Sequence, residues 1–245
     1  MTKRLGANLA DDRLITGQRS NALGQPIGLE LTNTAPRPAP PRNAMVGQYC
    51  SVVPIGIEHA DALHAAFCED RENRIWTYLP NGPYPDAAAF RDWVTDAMGW
   101  DDPLMHAILV DGNPVGHASY LRISPANASI EVGFINLSPA LQRTRAATEF
   151  QYLMMARAFD ELGYRRYEWK CDALNAPSRA AALRLGFTYE GTFRQATHYK
   201  GRNRDTAWFS ILNSEWPALK QRFETWLSPD NFASDGRQVR ALTEC

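Results

Sequence analysis

The chain has 245 residues, 44% of them hydrophobic and 22% charged, enough apolar material for one full-sized globular core with extensions. Its net charge of -1 carries no electrostatic footprint for nucleic acid or an anionic membrane, so neither is expected as a partner. Cys50, Cys68, Cys171 and Cys245 lie far apart without C-x-x-C spacing, no run of about 18 apolar residues occurs, and the N-terminus lacks an apolar leader segment; the expectation is a cytoplasmic protein with reduced thiols, no structural metal and no membrane span.

Residues 1–48 contain no Phe, Trp or Tyr, and Pro36, Pro38, Pro40 and Pro41 crowd one short piece. Such a segment buries little apolar surface, so an extended arm without regular structure is expected, although Gly24 to Leu29 is more apolar than a pure linker. The folded domain is expected over 49–227. Tyr49 to Ile55 is its first strand candidate, His59 to Cys68 and Asp86 to Met98 read as helices, and Asp86 stands where it can cap the second. Between these helices, Trp76 to Tyr84 is dense in aromatics and turn formers, either a packed surface loop or a wall of a binding pocket. His106 to Val110 and Val115 to Ile123 form a hairpin across Asp111-Gly112.

The stretch Ser129 to Gly163 carries the strongest signal. Ile130, Val132 and Phe134 alternate with Glu131, Gly133 and Ile135, the period of a strand ending at Ser138-Pro139. From Ala146 the period becomes helical: Phe150, Leu153, Met154, Ala158 and Leu162 share one face, and Gly163 is a stop signal. The connecting loop Gln142 to Ala147 enters a helix N-terminus, whose free N–H groups and positive dipole end suit an anion, and Arg143 and Arg145 stand beside it. Arg165 to Cys171 is the next strand and Asn175 to Leu185 a helix. Thr188 to Thr197 and Thr206 to Leu212 are the last strands, Trp216 to Leu227 the last helix, and 228–245 a polar, extended tail. Alternating strands and helices in the middle imply an α/β sheet.

Two motifs resemble the GNAT superfamily of N-acetyltransferases. Gln142-Arg143-Thr144-Arg145-Ala146-Ala147 is similar to the family's pyrophosphate loop, Gln/Arg-x-x-Gly-x-Gly/Ala, with Arg145 in place of the usual glycine. Asn175-Ala-Pro-Ser178 followed by Gly186-Phe187 resembles the Asn-x-x-Ser…Gly-Phe signature of the branch containing the ribosomal-protein N-terminal acetyltransferases. The resemblance covers roughly residues 50–215 and implies a GNAT fold, a mixed, mostly antiparallel sheet flanked by helices.

It also implies acetyl-CoA as co-substrate and a primary amine as acceptor, either a protein N-terminus or a small molecule. The alternative class is a non-catalytic acyl-CoA-binding or sensing module; a homodimer is an open arrangement. By the same resemblance, Ile135, Asn136 and Leu137 offer a strand edge to the pantetheine arm. Gln142, Arg143, Thr144, Arg145, Ala146, Ala147 and Thr148 form the phosphate cradle, and Asn175 and Ser178 contact the coenzyme. Glu131 occupies the place of a general base; an ion-paired strand carboxylate is the competing reading. Ser178 is the candidate donor to the leaving sulfur, with helix capping as its alternative, because the tyrosine that many members carry four residues before the motif's glycine is here Ala182. Trp76, Tyr78, Tyr84 and Tyr199 are candidate acceptor contacts.

Overall fold

The computed structural model describes residues 16–245, which fall into two compact units divided between Ala35 and Pro36. In the first, β1 (Gln18–Ser20) pairs antiparallel with β2 (Pro26–Gly28). The sequence predicts no regular structure here. The hairpin forms because the Asn21 carboxamide oxygen accepts from the amides of Leu23 and Gln25, and Gly24 takes a φ of +75°. That turn chemistry is local and needs no aromatic core.

The second unit contains an eight-stranded sheet in the order β3 (Met45–Val46), β4 (Ser51–Pro54), β5 (Leu104–Val110), β6 (Asn113–Ser124), β7 (Ser129–Leu137), β8 (Arg166–Asp172), β10 (Arg202–Leu212), β9 (Thr188–Tyr199). Every neighbouring pair is antiparallel except β7–β8, which is parallel. The β5–β6 connection is the predicted two-residue hairpin: Asp111 and Gly112 both have positive φ, as a type I′ turn demands.

Helices α1 (Ala60–Cys68) and α2 (Ala87–Met98) lie on one face of the sheet, where Leu63, Phe67, Phe90 and Val94 bury against Ile55, Met105 and Ala107. Asp86 caps α2 as expected, accepting from the Ala89 amide. On the other face lie α3 (Arg145–Ala156), α4 (Ala176–Arg184) and α5 (Trp216–Leu227), around a larger core that includes Phe150, Met154, Tyr167, Phe187, Phe209 and Phe223. A π-helical turn, Arg157–Glu161, continues α3, and Gly163 ends it with a φ of +69°. Among the described residues no helix is long and apolar enough to cross a membrane.

Residues 36–46 depart from the expected free arm. The Arg157 guanidinium donates to the carbonyls of Asn43 and Ala44, the Tyr164 hydroxyl donates to the Pro38 carbonyl, and Met45 is buried. Distant donors satisfy the proline-rich backbone, so it stays without aromatics of its own. The tail is likewise folded rather than extended. Asn231 donates to the carbonyls of Trp226 and Arg240, Phe232 bridges to Gln238, and Leu242 is buried.

Glu149 on α3 ties the start of β4 to the helix. Its carboxylate accepts from the amides of Gln48, Tyr49 and Cys50 at 2.7, 2.6 and 2.8 Å, and a Cβ at Gly47 would collide with it. Glu149→Ala orphans three amides and should cost about 2–5 kcal/mol in urea unfolding; a loss below about 0.5 kcal/mol would contradict this anchoring role.

His106 and His117 are fully buried, and burial pushes each from 6.5 down to about 4. A depressed pKa means that protons bind the unfolded chain more tightly. The stability these histidines contribute is therefore complete above pH 6.5 and is lost as pH falls towards 4, by up to ~3 kcal/mol each. Unfolding midpoints measured between pH 7 and 4 should show this decline, and a flat profile would refute it.

Candidate active site

Strands β7 and β8 pair only from Ser129–Arg166 to Val132–Trp169. Beyond Val132, β7 bulges: its register against β6 slips between Ser119↔Gly133 and His117↔Asn136, and Phe134 takes a φ of +47°. That conformation strains a residue with a Cβ. His117 compensates, its Nδ1–H donating to the Phe134 carbonyl at 2.7 Å. Burial keeps the ring neutral, so Nδ1 can carry the single proton while Nε2 lies buried without a partner among the described residues. The bulge turns the rest of β7 away from β8. On that side its backbone has no strand partner, the Gln142 carboxamide donating to the Leu137 carbonyl at 2.9 Å, and two cavities meet in the gap, both lined by Ile135 and Trp169.

The first cavity, about 690 Å³, opens on the α1–α2 side. Glu131 and Lys170 are in its wall. The Glu131 side chain is 3% exposed; its Oε1 accepts from Arg122 at 2.7 Å and its Oε2 stands 2.8 Å from the Lys170 ammonium. Lys170 also reaches Glu168 at 2.8 Å and lies 3.7 Å from the Trp208 ring centre. Burial raises the Glu131 pKa above the ordinary carboxylate value, against the pull of Lys170 and Arg122. Farther along the same strand, Asp172 accepts from the Tyr199 hydroxyl (2.7 Å) and the Leu174 amide (2.8 Å). Ser178 accepts from the Trp169 indole N–H at 3.0 Å, so its own proton can turn towards another acceptor, with the Cys171 sulfur close by. The β9–β10 tip closes one side: Lys200 donates to the Trp76 carbonyl and Arg202 to that of Thr77, each at 2.7 Å.

The second cavity, about 770 Å³, lies over the N-terminus of α3. Thr144 is the N-cap and its Oγ1 accepts from the Ala147 amide, so the first helical amides, Arg145 and Ala146, face the opening as the anion donors. Arg145 is helical, a conformation open to any residue; the left-handed residue of the loop is Arg143, with a φ of +61°. The Arg145 guanidinium is sandwiched between the Tyr49 and Phe232 rings, 4.9 and 4.6 Å from their centres. It thus withdraws from the helix axis and clasps the C-terminal tail. Arg184 donates to Thr148 Oγ1 and lies over the Trp226 ring, adding a second positive wall.

The gap brings together most of the residues singled out by sequence. Glu131, Gln142, Asn175, Ser178, Tyr78 and Tyr199 line the first cavity; Leu137, Arg143, Thr144, Arg145, Ala147 and Thr148 line the second. Asn136 and Ala146 are buried and offer backbone only. Asn175 is the N-cap of α4, accepting from the Ser178 amide. Trp76 and Tyr84 are not lining residues. They pack edge-to-face 5.5 Å apart within the α1–α2 core, while their neighbours Ile75, Thr77 and Leu79 reach the cavity. Gly133 borders the cavity, and a Cβ there would meet the end of the Leu121 side chain at 2.8 Å. Sequence reasoning missed His117, Trp169, Lys170, Asp172 and the tail. The alternation of charged Arg166, Glu168, Lys170 and Asp172 along one face of the strand was the available signal.

A family model described as "Acetyltransferase (GNAT) domain" matches residues 51–188, more than half the chain. The chain belongs to this family. A crystal structure of a GCN5-related N-acetyltransferase from Brucella melitensis is 47% identical with a TM-score of 0.86, covering 87% of this chain and 98% of its own. A Chromobacterium violaceum structure described as "probable acetyltransferases (GNAT family)" is 40% identical with a TM-score of 0.73, covering 79% and 98%. The Bacillus subtilis (strain 168) protein named "Putative ribosomal N-acetyltransferase YdaF" is 27% identical over 113 residues; the match spans 46% of this chain and 61% of that protein. By its family the protein is an acetyl-CoA-dependent N-acetyltransferase.

The second cavity fits that co-substrate: open helix-terminal amides and arginines suit a pyrophosphate, and the unpaired β7 edge suits an amide-bearing arm. Arg143→Glu should weaken acetyl-CoA binding by roughly 1–3 kcal/mol in calorimetry, the scale of a charged hydrogen bond. Arg145→Gly, which restores the usual family residue, should not tighten binding and should speed proteolytic cleavage of the tail after Phe232, because it removes the guanidinium that the two rings hold. Unchanged affinity in the first variant together with an unchanged cleavage rate in the second would refute this reading of the cradle.

Proposed function

We propose that this chain transfers the acetyl group of acetyl-CoA to a primary amine held in the first cavity, with Glu131 as general base and Ser178 as donor towards the leaving sulfur. The observation that carries the reading is the meeting of two cavities at Ile135 and Trp169, one suited to a phosphate-bearing ligand and the other walled by a buried carboxylate. The acceptor is a protein N-terminus or a small-molecule amine; the Bacillus relative is named "Putative ribosomal N-acetyltransferase YdaF".

Bound acetyl-CoA supplies an activated acyl thioester. The chain's own residues supply proton handling and position. An acceptor arrives as an ammonium and must lose a proton before it can attack. A carboxylate whose proton affinity is raised by burial is a better acceptor for that proton than an exposed one, and Arg122 and Lys170 keep it ionised until then. The Ser178 hydroxyl, held by the Trp169 indole, keeps its proton available for a developing negative charge. Trp169 and Ile135 divide the two cavities and confine contact between the ligands to the gap.

Glu131→Gln should preserve acetyl-CoA affinity and lower kcat by at least roughly 10²-fold, with the deficit shrinking as pH rises and free amine becomes abundant. Lys170 keeps Glu168 as a partner, so the variant should still fold. A pH–rate profile of both proteins is the measurement. Near-parental kcat at neutral pH would remove Glu131 from the role and leave Asp172, the other carboxylate of the cavity, as the group to substitute next.

A further inference from the structure

The charges around the first cavity are unequal and unequally matched. Arg74, Arg122, Lys170 and Arg204 line it, against Glu131 and Asp172. Three of the four cations have a carboxylate: Arg74 has Glu72, Arg122 has Glu131, and Lys170 has Glu131 and Glu168. Arg204 has none within ion-pair distance among the described residues. Its Nε is closed off from solvent with no hydrogen-bond acceptor, and its guanidinium lies 5.8 Å from the Tyr199 ring centre. Asp172 accepts from the Tyr199 hydroxyl and the Leu174 amide and makes no ion pair with Arg204 among the described residues.

A guanidinium that borders a cavity without a carboxylate partner can receive an anion that a ligand brings. Its planar fork matches a carboxylate or a phosphate. The neighbouring basic residues of the β9–β10 tip are committed elsewhere, Lys200 to the Trp76 carbonyl and Arg202 to that of Thr77. Arg204 is thus the cation of this wall left for a ligand.

We infer that the acceptor is a primary amine that also carries an anionic group, carboxylate or phosphate, which Arg204 receives while the amine faces the gap. This rests on the reading of the first cavity as the acceptor site. It disfavours polycations such as polyamines, whose further ammonium groups would meet the unpaired Arg204 guanidinium. A nearby unpaired cation also favours the free-base form of the reacting amine, and so works in the direction of the chemistry.

The test compares matched amines for acetylation: phenylalanine against phenethylamine, phosphoethanolamine against ethanolamine, and the amidated peptides Ser-Glu-Ala and Ser-Gln-Ala, with spermidine as the cationic case. The anionic member of at least one pair should have a kcat/KM higher by about tenfold or more, the scale of one charged hydrogen bond. The pair that shows it tells a free amino acid, a phosphorylated amine and an acidic peptide apart. Arg204→Gln should collapse that ratio towards one through KM, with kcat changed little, and Arg204→Lys should keep part of it.

Binding is tested separately from turnover. Calorimetry with 3-phenylpropionate and phenyl phosphate, which have the anion but no amine, should show binding to the parent and none to Arg204→Gln, with thermal melts checking that each variant is folded. Turnover of neutral amines without any anionic preference would overturn the inference and leave the proposed acetyl transfer intact. Failure of both anions to bind the parent would overturn it even if no amine in the panel reacts. Anion binding without turnover of any amine would uphold the Arg204 site and count against the reading of the cavity as an acceptor site.

Discussion

One hydrogen bond governs the layout of the site. The Phe134 carbonyl is turned out of the β6–β7 ladder by a left-handed backbone, and the buried, neutral His117 ring receives it. A bulge that is not held in this way would relax into continuous pairing, because an unmatched buried carbonyl and a strained φ both disfavour it. With the bulge in place, β7 and β8 stay parallel and paired for four residues and then separate. Everything that acts on a ligand stands along that separation: the free strand edge, the helix terminus beyond it, the Trp169 partition, and the wall with Glu131.

The sheet's two faces treat charge in opposite ways, and this sets where each ligand goes. On the α3–α5 side, Ile130, Val132, Tyr167 and Trp169 face an apolar core. On the α1–α2 side, the two helices cover β4 to β6, and past them Arg122, Glu131, Lys170, Glu168, Arg166 and Glu190 form a chain of alternating charge. Glu131 and Glu168 are register partners on adjacent strands, and two such carboxylates would repel. Lys170 between them, over the Trp208 ring, makes their proximity tolerable. The competing readings of Glu131, a proton acceptor or an ion-paired strand residue, are therefore compatible in one side chain: the ion pairs allow it to be both buried and charged.

The C-terminal tail changes the meaning of the one departure from the family's loop. Glycine at position 145 would let an anion approach the helix end closely. In this chain, Arg145 has ordinary helical geometry, and its side chain lies between Tyr49 and Phe232, so it clears the approach and fastens the tail beside the cavity. The tail in turn is braced by Asn231 and by the Trp226 indole, which donates to Gln238.

The amino-acid sequence by itself determined what depends on neighbours along the chain. The strand Ser129 to Leu137, the Asp86 cap, the Asp111-Gly112 turn and the helix Trp216 to Leu227 were all legible, since periodicity, turn chemistry and end signals act over a few residues. The family followed from two short motifs for the same reason. What only the tertiary structure decided are pairings between groups far apart in sequence: His117 with the Phe134 carbonyl, Arg157 with the Asn43 and Ala44 carbonyls, Lys170 with Glu131, Arg145 with Phe232. Trp76 and Tyr84 show the limit most plainly. Their loop does border the cavity, but backbone turns within it send these two rings into the α1–α2 core and leave Thr77 and Tyr78 to the ligand side. Composition told that aromatics were there; only the closed packing of Phe67, Trp76, Tyr84 and Phe90 could decide which way each one points.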